Sequence, residues 1–573
     1  MLPHSHQETS PELAGALRAL RRTGMYLLGF SFAMNLLALM LPIYSLQVFD
    51  RVFTTRSMDT LLGLTAIVLF AYAFFGALYA VRAGIIAKIV EWLDHHLAIT
   101  ILAASVRAAS LYPRFSGGQQ LRELGVIKGF IAGAGPNILD VPWSILFIAM
   151  IYMIHPVLGV ISILSVLTFL ALGLLNEYST KKALLRANEK SLESQVHADS
   201  LSLNAEAIQA MGMMQGALAS WRVEYAKSLD WQDLAQQRSA LLQGLTRSLR
   251  MVMQIAIIGV GAYLALNKEL TAGGLIASSI LIGRALAPFE NFIMVWKQYT
   301  AARESYMRLS RMLRDAPPIL GDTQLPVPQG AVSVEGLYYS PQGRAPILKG
   351  ITFRLNPGES IGIIGPSAAG KSTLAKCLVG ILPPSHGHVR LDGADVYSWA
   401  REDFGRYAGY LPQQVELFPG TIKQNIARMQ EHASDAAVIE ACARAGVHEL
   451  ILKLPQGYDT LFTPGITVLS PGQKQRLGLA RALYGNPRYL VLDEPNNNLD
   501  GEGERALQQV IANVKQQGTT LVVVAHRPSI LNAVDTILML RAGTIEAAGS
   551  REQMMQRYAQ PIRPMATEQA GHA

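Results

Sequence analysis

The first 300 residues contain apolar stretches long enough to cross a lipid bilayer. A bilayer core about 30 Å thick needs about 20 apolar helical residues, at 1.5 Å of rise each. Six segments meet or approach this length, and they are residues 24–48, 61–81, 130–154, 157–175, 251–266 and 274–295. One such segment alone could be a buried helix of a large soluble protein. Six of them, with consistent charges at their ends, predict a helical membrane domain spanning residues 24–311.

Positive charges predict which ends of these segments face the cytoplasm. Arginines within 18–22 precede the first segment, and the stretch 82–128 after the second segment is rich in Arg and Lys. Positively charged flanks stay on the cytoplasmic side, so residues 1–23 are predicted to be a short cytoplasmic segment. The polar stretches 82–128 and 176–250 keep a helical periodicity, which predicts helices that continue out of the membrane into the cytoplasm.

Composition supports a membrane part and argues against other classes. Half of the 573 residues are hydrophobic and only 16% are charged, against about 25% in soluble domains. The net charge is +8, but the basic residues are scattered without interleaved aromatics, so membrane lipid rather than nucleic acid is the expected partner. Cys377 and Cys442 lie in the half predicted to be cytoplasmic, where thiols stay reduced, so no structural disulfide is expected.

A second domain is predicted after residue 330. Residues 312–330 include the prolines 317, 318, 326 and 328, which cannot continue a helix and indicate a linker. Residues 331–559 have the composition of a globular domain, and 560–573 are predicted to be a disordered tail.

A phosphate-binding loop is predicted directly after the strand-like run 360–364. Its residues are Gly365, Pro366, Ser367, Ala368, Ala369, Gly370, Lys371, Ser372 and Thr373. A strand, this glycine-rich loop and a following helix form the Walker A pattern. The glycines let backbone N–H groups close around phosphate oxygens, Lys371 would reach the β- and γ-phosphates, and Ser372 would offer its hydroxyl to Mg²⁺. The chain is therefore expected to bind ATP and Mg²⁺.

Two carboxylates follow a second strand-like run. Residues 489–494 are apolar up to Asp493 and Glu494, which is a Walker B arrangement. Asp493 is suited to Mg²⁺, and Glu494 is suited to polarising the attacking water. One acidic residue at a strand end is common, but two in this order after a phosphate loop indicate an ATP hydrolase with an α/β P-loop nucleotide-binding domain.

Residues 469–476, Leu-Ser-Pro-Gly-Gln-Lys-Gln-Arg, resemble the signature motif of ATP-binding cassette (ABC) transporters and lie just before the Walker B run, as in that family. Gln413, Asp500 and His526 resemble its Q-loop glutamine, D-loop aspartate and switch histidine. The resemblance covers nearly the whole chain and implies an exporter-type fold of six transmembrane helices fused to the nucleotide-binding domain.

The same resemblance implies a homodimer in which two nucleotide-binding domains close head to tail. Each ATP would then lie between one Walker A loop and the partner's signature residues, which correspond to Ser470, Gly472 and Gln473 of this sequence. By the same resemblance, Gln413 is expected to contact Mg²⁺ and His526 the γ-phosphate.

Two positions depart from the family pattern. Pro471 stands where the family usually has Gly and removes one backbone donor, although its neighbours remain and ATP binding is expected to survive. The aromatic residue that stacks on adenine is also displaced. Tyr339 is the candidate for this role, Tyr338 is the alternative, and either tyrosine could instead belong to the strand core.

The membrane half resembles bacterial type I secretion ATPases that export proteases and other RTX-type proteins. The similar segments are residues 48–52, 140–143, 155–156 and 204–213. The resemblance implies export of unfolded polypeptide with an uncleaved C-terminal signal across the bacterial inner membrane. A periplasmic adaptor and an outer-membrane channel are the implied partners of this multi-pass protein, with its nucleotide-binding domain in the cytoplasm.

Alternatives stay open at this point. A lipid or drug exporter would keep every ATPase motif and differ in its spans and partners. A P-loop ATPase that acts as a regulator is an alternative of another class, which the six apolar segments disfavour. Asp140 and Pro142 could also mark only a helix entry or a kink.

Overall fold

The computed structural model describes residues 11–111, 117–315, 325–341, 345–463, 469–525 and 528–559. The chain divides into two compact units, with the boundary between residues 318 and 319 and the short stretch 110–113 grouped with the second unit. His526 and the predicted tail 560–573 lie outside the described residues.

The first unit is built from helices. Their bounds are α1 Pro11–Ala38, α2 Met40–Gln47, α3 Phe53–Thr55, α4 Met58–Leu111, α5 Gly117–Gly133, α6 Gly135–Asp140, α7 Ser144–Ile154, α8 Pro156–Leu203, α9 Ala205–Ala210, α10 Met214–Leu266 and α11 Ala272–Asp315. A π-helical turn Val48–Val52 joins α2 to α3, and a 3₁₀ turn Val141–Trp143 joins α6 to α7. Six helical runs in the described part of the chain are long and apolar enough to cross a membrane.

Several of these helices are much longer than a bilayer is thick. The helix α4 has 54 residues, which is about 80 Å at 1.5 Å per residue, against a bilayer core of about 30 Å. The helices α8 and α10 have 48 and 53 residues. They cover most of the polar stretch 176–250, as its periodicity predicts, but the helix is interrupted at Asn204 and at residues 211–213, on either side of α9. The described parts of the stretch 82–128 are helical, in α4 and α5.

The second span, which lies in α4, exposes its apolar side chains to the surroundings. None of the most apolar window of α4 is buried, and Leu62 and Phe70 are 65% and 77% exposed. A soluble protein rarely exposes a continuous apolar face of this kind. A helix, however, satisfies its own backbone hydrogen bonds and can place such a face in lipid.

Polar side chains within the spans are paired between helices. Arg82 of α4 is buried and donates to Asp140 at the end of α6, with Nη1 and Oδ1 2.8 Å apart. Asp140 Oδ1 also accepts from Ser31 Oγ and from Asn35 Nδ2 of α1. The segment 140–143 thus both interrupts the helix, as the kink alternative predicts, and links three spans through a part-buried ion pair and its hydrogen bonds.

The segment 48–52 caps a distant helix. Asp50 Oδ2 accepts from Thr271 Oγ1 at 2.6 Å, and Asp50 Oδ1 accepts from Gly273 N at 2.9 Å. Thr271 Oγ1 in turn accepts from Gly274 N. These bonds satisfy donors in the first turn of α11 that have no partner within the helix. We call this set of contacts the Asp50 clasp.

The second unit contains three sheets and nine helices within the described residues. The strands are β1 Val332–Tyr339, β2 Leu348–Leu355, β3 Ser360–Ile364, β4 His386–Leu391, β5 Ala394–Asp395, β6 Ala408–Leu411, β7 Gly420–Thr421, β8 Leu461–Phe462, β9 Tyr489–Asp493, β10 Thr520–Val524, β11 Thr536–Arg541 and β12 Thr544–Ser550. The helices are α12 Lys371–Leu378, α13 Arg401–Tyr407, α14 Ile422–Ile426, α15 Asp435–Arg444, α16 His448–Leu452, α17 Pro471–Leu483, α18 Gly501–Gln516, α19 Pro528–Leu531 and α20 Arg551–Ala559.

The main sheet has six strands in the order β12-β11-β3-β10-β9-β6. Its strands β11, β3, β10, β9 and β6 are parallel, and β12 pairs antiparallel at the edge. A second, antiparallel sheet has the order β2-β1-β4-β5, and β7 pairs with β8. Two hydrophobic clusters flank the main sheet. One contains Leu490 and Leu492 of β9, and the other contains Tyr489 and Val491 of the same strand.

Three details differ from or extend the sequence-based description. The helix α1 already begins at Pro11, within the predicted terminal segment 1–23. The helix α11 extends to Asp315, four residues into the predicted linker 312–330. The prolines 317 and 318, which predict the linker, lie outside the described residues. Cys377 and Cys442 are buried in different hydrophobic clusters, and burial raises the pKa of the Cys442 thiol to about 11.

The Asp50 clasp can be tested by Asp50→Ala. The change removes both acceptors from the first turn of α11, and we expect it to destabilise the membrane unit by about 0.5–2 kcal/mol, as for other helix caps. Thermal unfolding of the detergent-purified chain, followed by circular dichroism, measures this as a lower midpoint. Thr55→Ala is the control, because the Thr55 hydroxyl donates only to Arg51 in its own turn. Equal midpoints for Asp50→Ala and wild type would contradict the assignment.

Candidate ATP-binding and hydrolysis site

The parallel register of the main sheet assembles the site. Val524 of β10 lies opposite both Ile363 of β3 and Asp493 of β9, and Leu411 of β6 lies opposite Leu492. The carboxyl ends of these four strands therefore meet at one edge, where α/β proteins place their ligands. The segments that follow the strands carry the predicted phosphate loop, the Walker B carboxylates and Gln413.

The phosphate loop requires glycine at its start. Gly365 has φ +151°, and a Cβ atom there would lie 2.1 Å from the Leu540 carbonyl oxygen, so no other residue fits without moving β11. At the other end of the loop, Gly370 is left-handed and α12 begins directly after it at Lys371. The backbone N–H groups of the loop and the N-terminus of α12 are thus directed towards one point, which is the geometry of an anion-binding site.

The Lys371 ammonium group lies inside this loop. Its Nζ donates to the carbonyl oxygens of Gly365 and Pro366, both at 2.9 Å, and the residue is buried. Burial lowers the pKa of Lys371, while the charges of Glu494 and Asp493 act in the opposite direction. Lys371 is therefore a buried cation that is hydrogen-bonded to the phosphate loop and attracted by the charges of two carboxylates.

Ser372 and Asp493 form a small cluster of oxygen ligands. Ser372 Oγ donates to Asp493 Oδ1 at 3.1 Å, and Asp493 is only 1% exposed. Burial raises the pKa of Asp493, the Ser372 hydrogen bond opposes this, and the nearby charge of Glu494 raises it further. A hydroxyl and a buried carboxylate without a full countercharge are the ligands that Mg²⁺ prefers. These residues fit the predicted metal position.

Glu494 is held by amide groups. Its backbone has φ +51°, its N–H donates to Val524 O at 3.0 Å, and its side chain accepts at Oε2 from Gln413 Nε2 at 2.8 Å. Asn497 Nδ2 donates to the same Oε2 at 2.7 Å. Two donors on one oxygen fix the position of the carboxylate.

Asn497 is a site residue that the sequence motifs do not identify. It follows Glu494 in the run Pro495-Asn496-Asn497-Asn498, and Asn497 N donates to Glu494 O in a turn. The available signal is the spacing, because an amide three residues after a carboxylate within a turn can fold back onto it.

The signature residues cap α17. Ser470 is the N-cap and its Oγ accepts from Gln473 N at 3.2 Å, while Gln473 Oε1 accepts from Ser470 N at 2.9 Å. This reciprocal pair is a capping box. Pro471 occupies the first helical position, where the backbone N–H would have no partner within the helix and where the fixed φ of proline favours the helix. The departure from the family pattern therefore costs the helix nothing.

Gly472 packs against the segment after Walker B. A Cβ atom at Gly472 would lie 2.6 Å from the carbonyl oxygen of Asn498, so the close approach of α17 to this segment depends on glycine. Asp500, the D-loop candidate, caps α18. Its Oδ1 accepts from Gly503 N at 2.8 Å and pairs with Arg476 at 3.0 Å. The hydrogen bond from Gly503 is the main cause of the lowered pKa of Asp500.

The register of β1 distinguishes the two tyrosines. Tyr339 pairs with Leu348 of β2, and paired residues point to the same face of a sheet. Leu348 Cδ2 lies 2.9 Å from the position of a Cβ on Gly370, so this face borders the phosphate loop. Tyr338 lies on the other face, beside His386. Tyr339 also packs against the core, so both the stacking and the core interpretations of this residue stay compatible with its position.

The structure thus brings Lys371, Ser372, Asp493, Glu494 and Gln413 together at one sheet edge. Gln475 of α17 adds a link, because its Nε2 donates to the backbone oxygen of Pro495 at 3.4 Å. The predicted switch residue, His526, follows β10 and lies outside the described residues, so its role stays a prediction.

Comparisons with known proteins agree with this geometry. Residues 348–497 match the ABC transporter family. The chain is 40% identical to the type I secretion system ATP-binding protein PrsD of Rhizobium meliloti, over 97% of this chain and 95% of that protein. It is 28% identical to the cyclolysin secretion/processing ATP-binding protein CyaB of Bordetella pertussis, over 92% and 75% of the two chains. The structure of a bacterial Atm1-family ABC exporter with ATP bound shares the fold, with a TM-score of 0.79, 23% identity, and coverage of 94% and 96%.

The fold and the site define an ATP-hydrolysing transporter, with a nucleotide-binding domain fused to a multi-pass membrane domain. Within that class, the chain belongs to the family of type I secretion system ATP-binding proteins. Membership of this family favours a secretion ATPase over the drug-exporter and regulator alternatives.

The contrast between Pro471 and Gly472 provides a matched test. We expect Pro471→Ala to keep ATP hydrolysis within about twofold, because the first helical N–H has no intrahelical partner. We expect Gly472→Ala to lower the rate about tenfold or more, since shifts on the order of 1 Å near reacting groups can cost about a hundredfold. Steady-state phosphate release by the two purified variants measures both effects. The reverse order of sensitivity would show that the α17 geometry does not control hydrolysis.

Asn497 is expected to position Glu494. Asn497→Ala should lower kcat about tenfold, equivalent to about 1.4 kcal/mol, which is in the range of a hydrogen bond to a charged group. The KM for ATP should change little, because no predicted ATP contact is removed. Asn513→Ala is the control, on an exposed position of α18. A rise in KM at unchanged kcat would place Asn497 in nucleotide binding instead.

Proposed function

We propose that two copies of this chain form an ATP-driven exporter that moves unfolded polypeptides out of the cytoplasm across the bacterial inner membrane. The observation that carries the catalytic part is the fixed Glu494 carboxylate, which accepts hydrogen bonds from both Gln413 and Asn497 at the edge where the phosphate loop ends. The family membership carries the secretion part.

The residues at the sheet edge would have different roles in ATP hydrolysis. The loop Gly365, Pro366, Ser367, Ala368, Ala369, Gly370 and the first helical residues Lys371, Ser372 and Thr373 would bind the phosphates. Lys371 would exchange its carbonyl partners for phosphate oxygens, and Tyr339 would stack on adenine. Glu494 would accept a hydrogen bond from the water that attacks the γ-phosphorus, while the bond to the ADP oxygen breaks.

The metal position would be held by Ser372, Asp493 and Gln413. A bound Mg²⁺ would neutralise negative charge on the ATP phosphates. Asp493 suits this position because its carboxylate already lies next to the Ser372 hydroxyl, and burial raises its pKa. Gln413 would link the metal position to Glu494 through the hydrogen bond that it donates to the Glu494 carboxylate.

The second copy would complete each site. Ser470 and Pro471 are exposed at the start of α17, and the capping box orders Ser470 and Gln473 there. A helix N-terminus of this kind favours an anion. We infer that Ser470, Gly472 and Gln473 of one copy meet the ATP bound to the partner, that Asp500 orders the adjacent D-loop, and that His526 contacts the γ-phosphate.

The names of two relatives support a secreted cargo. CyaB is named for cyclolysin secretion/processing, and LktB of Mannheimia glucosida, 27% identical over 92% of this chain, is named for leukotoxin translocation. We propose a polypeptide cargo with an uncleaved C-terminal signal, a periplasmic adaptor and an outer-membrane channel. Co-purification of the chain with an adaptor distinguishes this from a lipid or drug exporter.

The proposed chemistry is tested by Glu494→Gln. We expect ATP hydrolysis to fall by at least about a hundredfold, the usual contribution of a general base, while ATP binding persists. Phosphate release, nucleotide binding and particle size in ATP are measured on detergent-purified protein, and the variant should accumulate as a closed dimer. Glu502→Gln, an exposed change on α18, is the control. Equal activity of wild type and Glu494→Gln would exclude Glu494 as the base, and absence of ATP binding in both would refute the site.

A further inference from the structure

A groove of about 690 Å³ lies between the start of α1 and the middle of α4. It is separate from the nucleotide site and belongs to the first unit alone. Its lining residues are Ala19, Leu20, Thr23, Val81, Gly84, Ile85, Lys88, Ile89 and Trp92.

The groove faces away from the packed side of α4. Its six residues on α4 follow the spacing of one helix face. The adjacent face of α4 carries Arg82, Ile86 and Leu93, which are buried against the rest of the unit. The groove therefore opens to the surroundings of the membrane unit, on the same helix whose apolar window is entirely unburied.

The depth of the groove places one end among lipid headgroups. The helix α4 begins at Met58, which we place at the opposite membrane surface, and Lys88 lies about 45 Å further along the helix at 1.5 Å per residue. A bilayer with its headgroup regions is about 40–45 Å thick. Ile85 and Lys88 are thus level with the headgroups, and Val81 is level with the nearest part of the acyl chains. Trp92 lies one turn beyond Lys88, on the water side of the headgroups, and tryptophan is enriched at membrane–water interfaces.

The headgroup end carries an exchangeable cation. Lys88 is 79% exposed at its side chain, and its partner Glu91, at 2.6 Å, is also largely exposed. Such a surface pair contributes little free energy, so the ammonium can exchange this partner for another anion. An apolar groove with an exchangeable cation at its cytoplasmic end has the chemistry that binds an anionic lipid.

We propose that this groove binds one anionic phospholipid of the cytoplasmic leaflet. An acyl chain lies along Val81 and Gly84, the glycerol region lies at Ile85, and the phosphate lies at Lys88 with Trp92 beside the headgroup. The site is independent of the proposed cargo and of the hydrolysis chemistry.

Gly84 allows the groove to be filled without disturbing the fold. A Cβ atom there meets nothing within 4 Å, so Gly84→Leu extends into the groove rather than into a neighbouring helix. Gly76 offers a matched control on the same helix, because its Cβ position is equally open and it does not line the groove. Lys88→Gln removes the cation and keeps the length of the side chain nearly unchanged.

The test is native mass spectrometry of the full-length protein in detergent, titrated with phosphatidylglycerol and, separately, phosphatidylethanolamine. We expect wild type and Gly76→Leu to retain one phosphatidylglycerol per chain, and Gly84→Leu to bind it about tenfold more weakly, the loss expected when two buried methylene contacts are removed. Lys88→Gln should weaken the binding of phosphatidylglycerol about fivefold, because one cation near a membrane surface contributes about 1 kcal/mol. It should leave the binding of phosphatidylethanolamine unchanged. Unchanged ATP hydrolysis by Gly84→Leu verifies that this variant is folded.

Two outcomes would overturn the proposal. Equal phosphatidylglycerol binding by wild type and Gly84→Leu would show that the lipid binds elsewhere or only as part of the bulk lipid shell. A change in the oligomeric state of Gly84→Leu, with lipid binding retained, would show that the groove is covered by a second copy of the chain.

Discussion

Four parallel strands, β6, β9, β10 and β3, end at the same edge of the main sheet, and every described side chain of the hydrolysis site depends on their register. The five residues of β9 are all buried, with Leu490 and Leu492 in one hydrophobic cluster and Tyr489 and Val491 in the other. A slip by one residue would exchange these two sets between differently shaped cores. The apolar packing of β9 therefore fixes the position of Asp493 at the sheet edge. The same packing compensates for the free-energy cost of burying the Asp493 carboxylate near the buried Lys371 ammonium group.

Much of this architecture follows from local sequence. The phosphate loop, the signature motif and the Walker B run are short segments in which each residue type has one chemical task, so Lys371, Ser372, Asp493 and Glu494 can be identified without a structure. The spans can be identified because bilayer thickness fixes their length. The faces of the sheet on which Tyr338 and Tyr339 lie could be assigned only from the pairing of β1 with β2, and the contact of Asn497 with Glu494 needed the turn after β9. The Arg82–Asp140 pair joins residues from different spans, and no local pattern encodes such a contact.

The polar groups of the membrane unit follow a common rule. A charged side chain within a span is costly unless it is paired or reaches water. Arg82 and Asp140 meet this condition by pairing, and Ser31 and Asn35 supply the further hydrogen bonds that the carboxylate can accept. Positions that are open to the surroundings, such as Leu62 and Phe70, are apolar instead. The same physical requirement thus produces, on the single helix α4, a polar interior link at Arg82 and an apolar outer surface several turns earlier.

The Asp50 clasp also has a consequence for the order in which the protein is made. Asp50 and Thr271 are 221 residues apart in the chain. At about 5–20 residues per second, a ribosome needs about 10–45 s to synthesise the intervening segment. During that time the end of the first span has left the ribosome while its hydrogen-bonding partners do not yet exist. The carboxylate at the membrane surface must be solvated by water until the last hairpin of spans arrives, so closure of the clasp marks the point at which the membrane unit becomes complete.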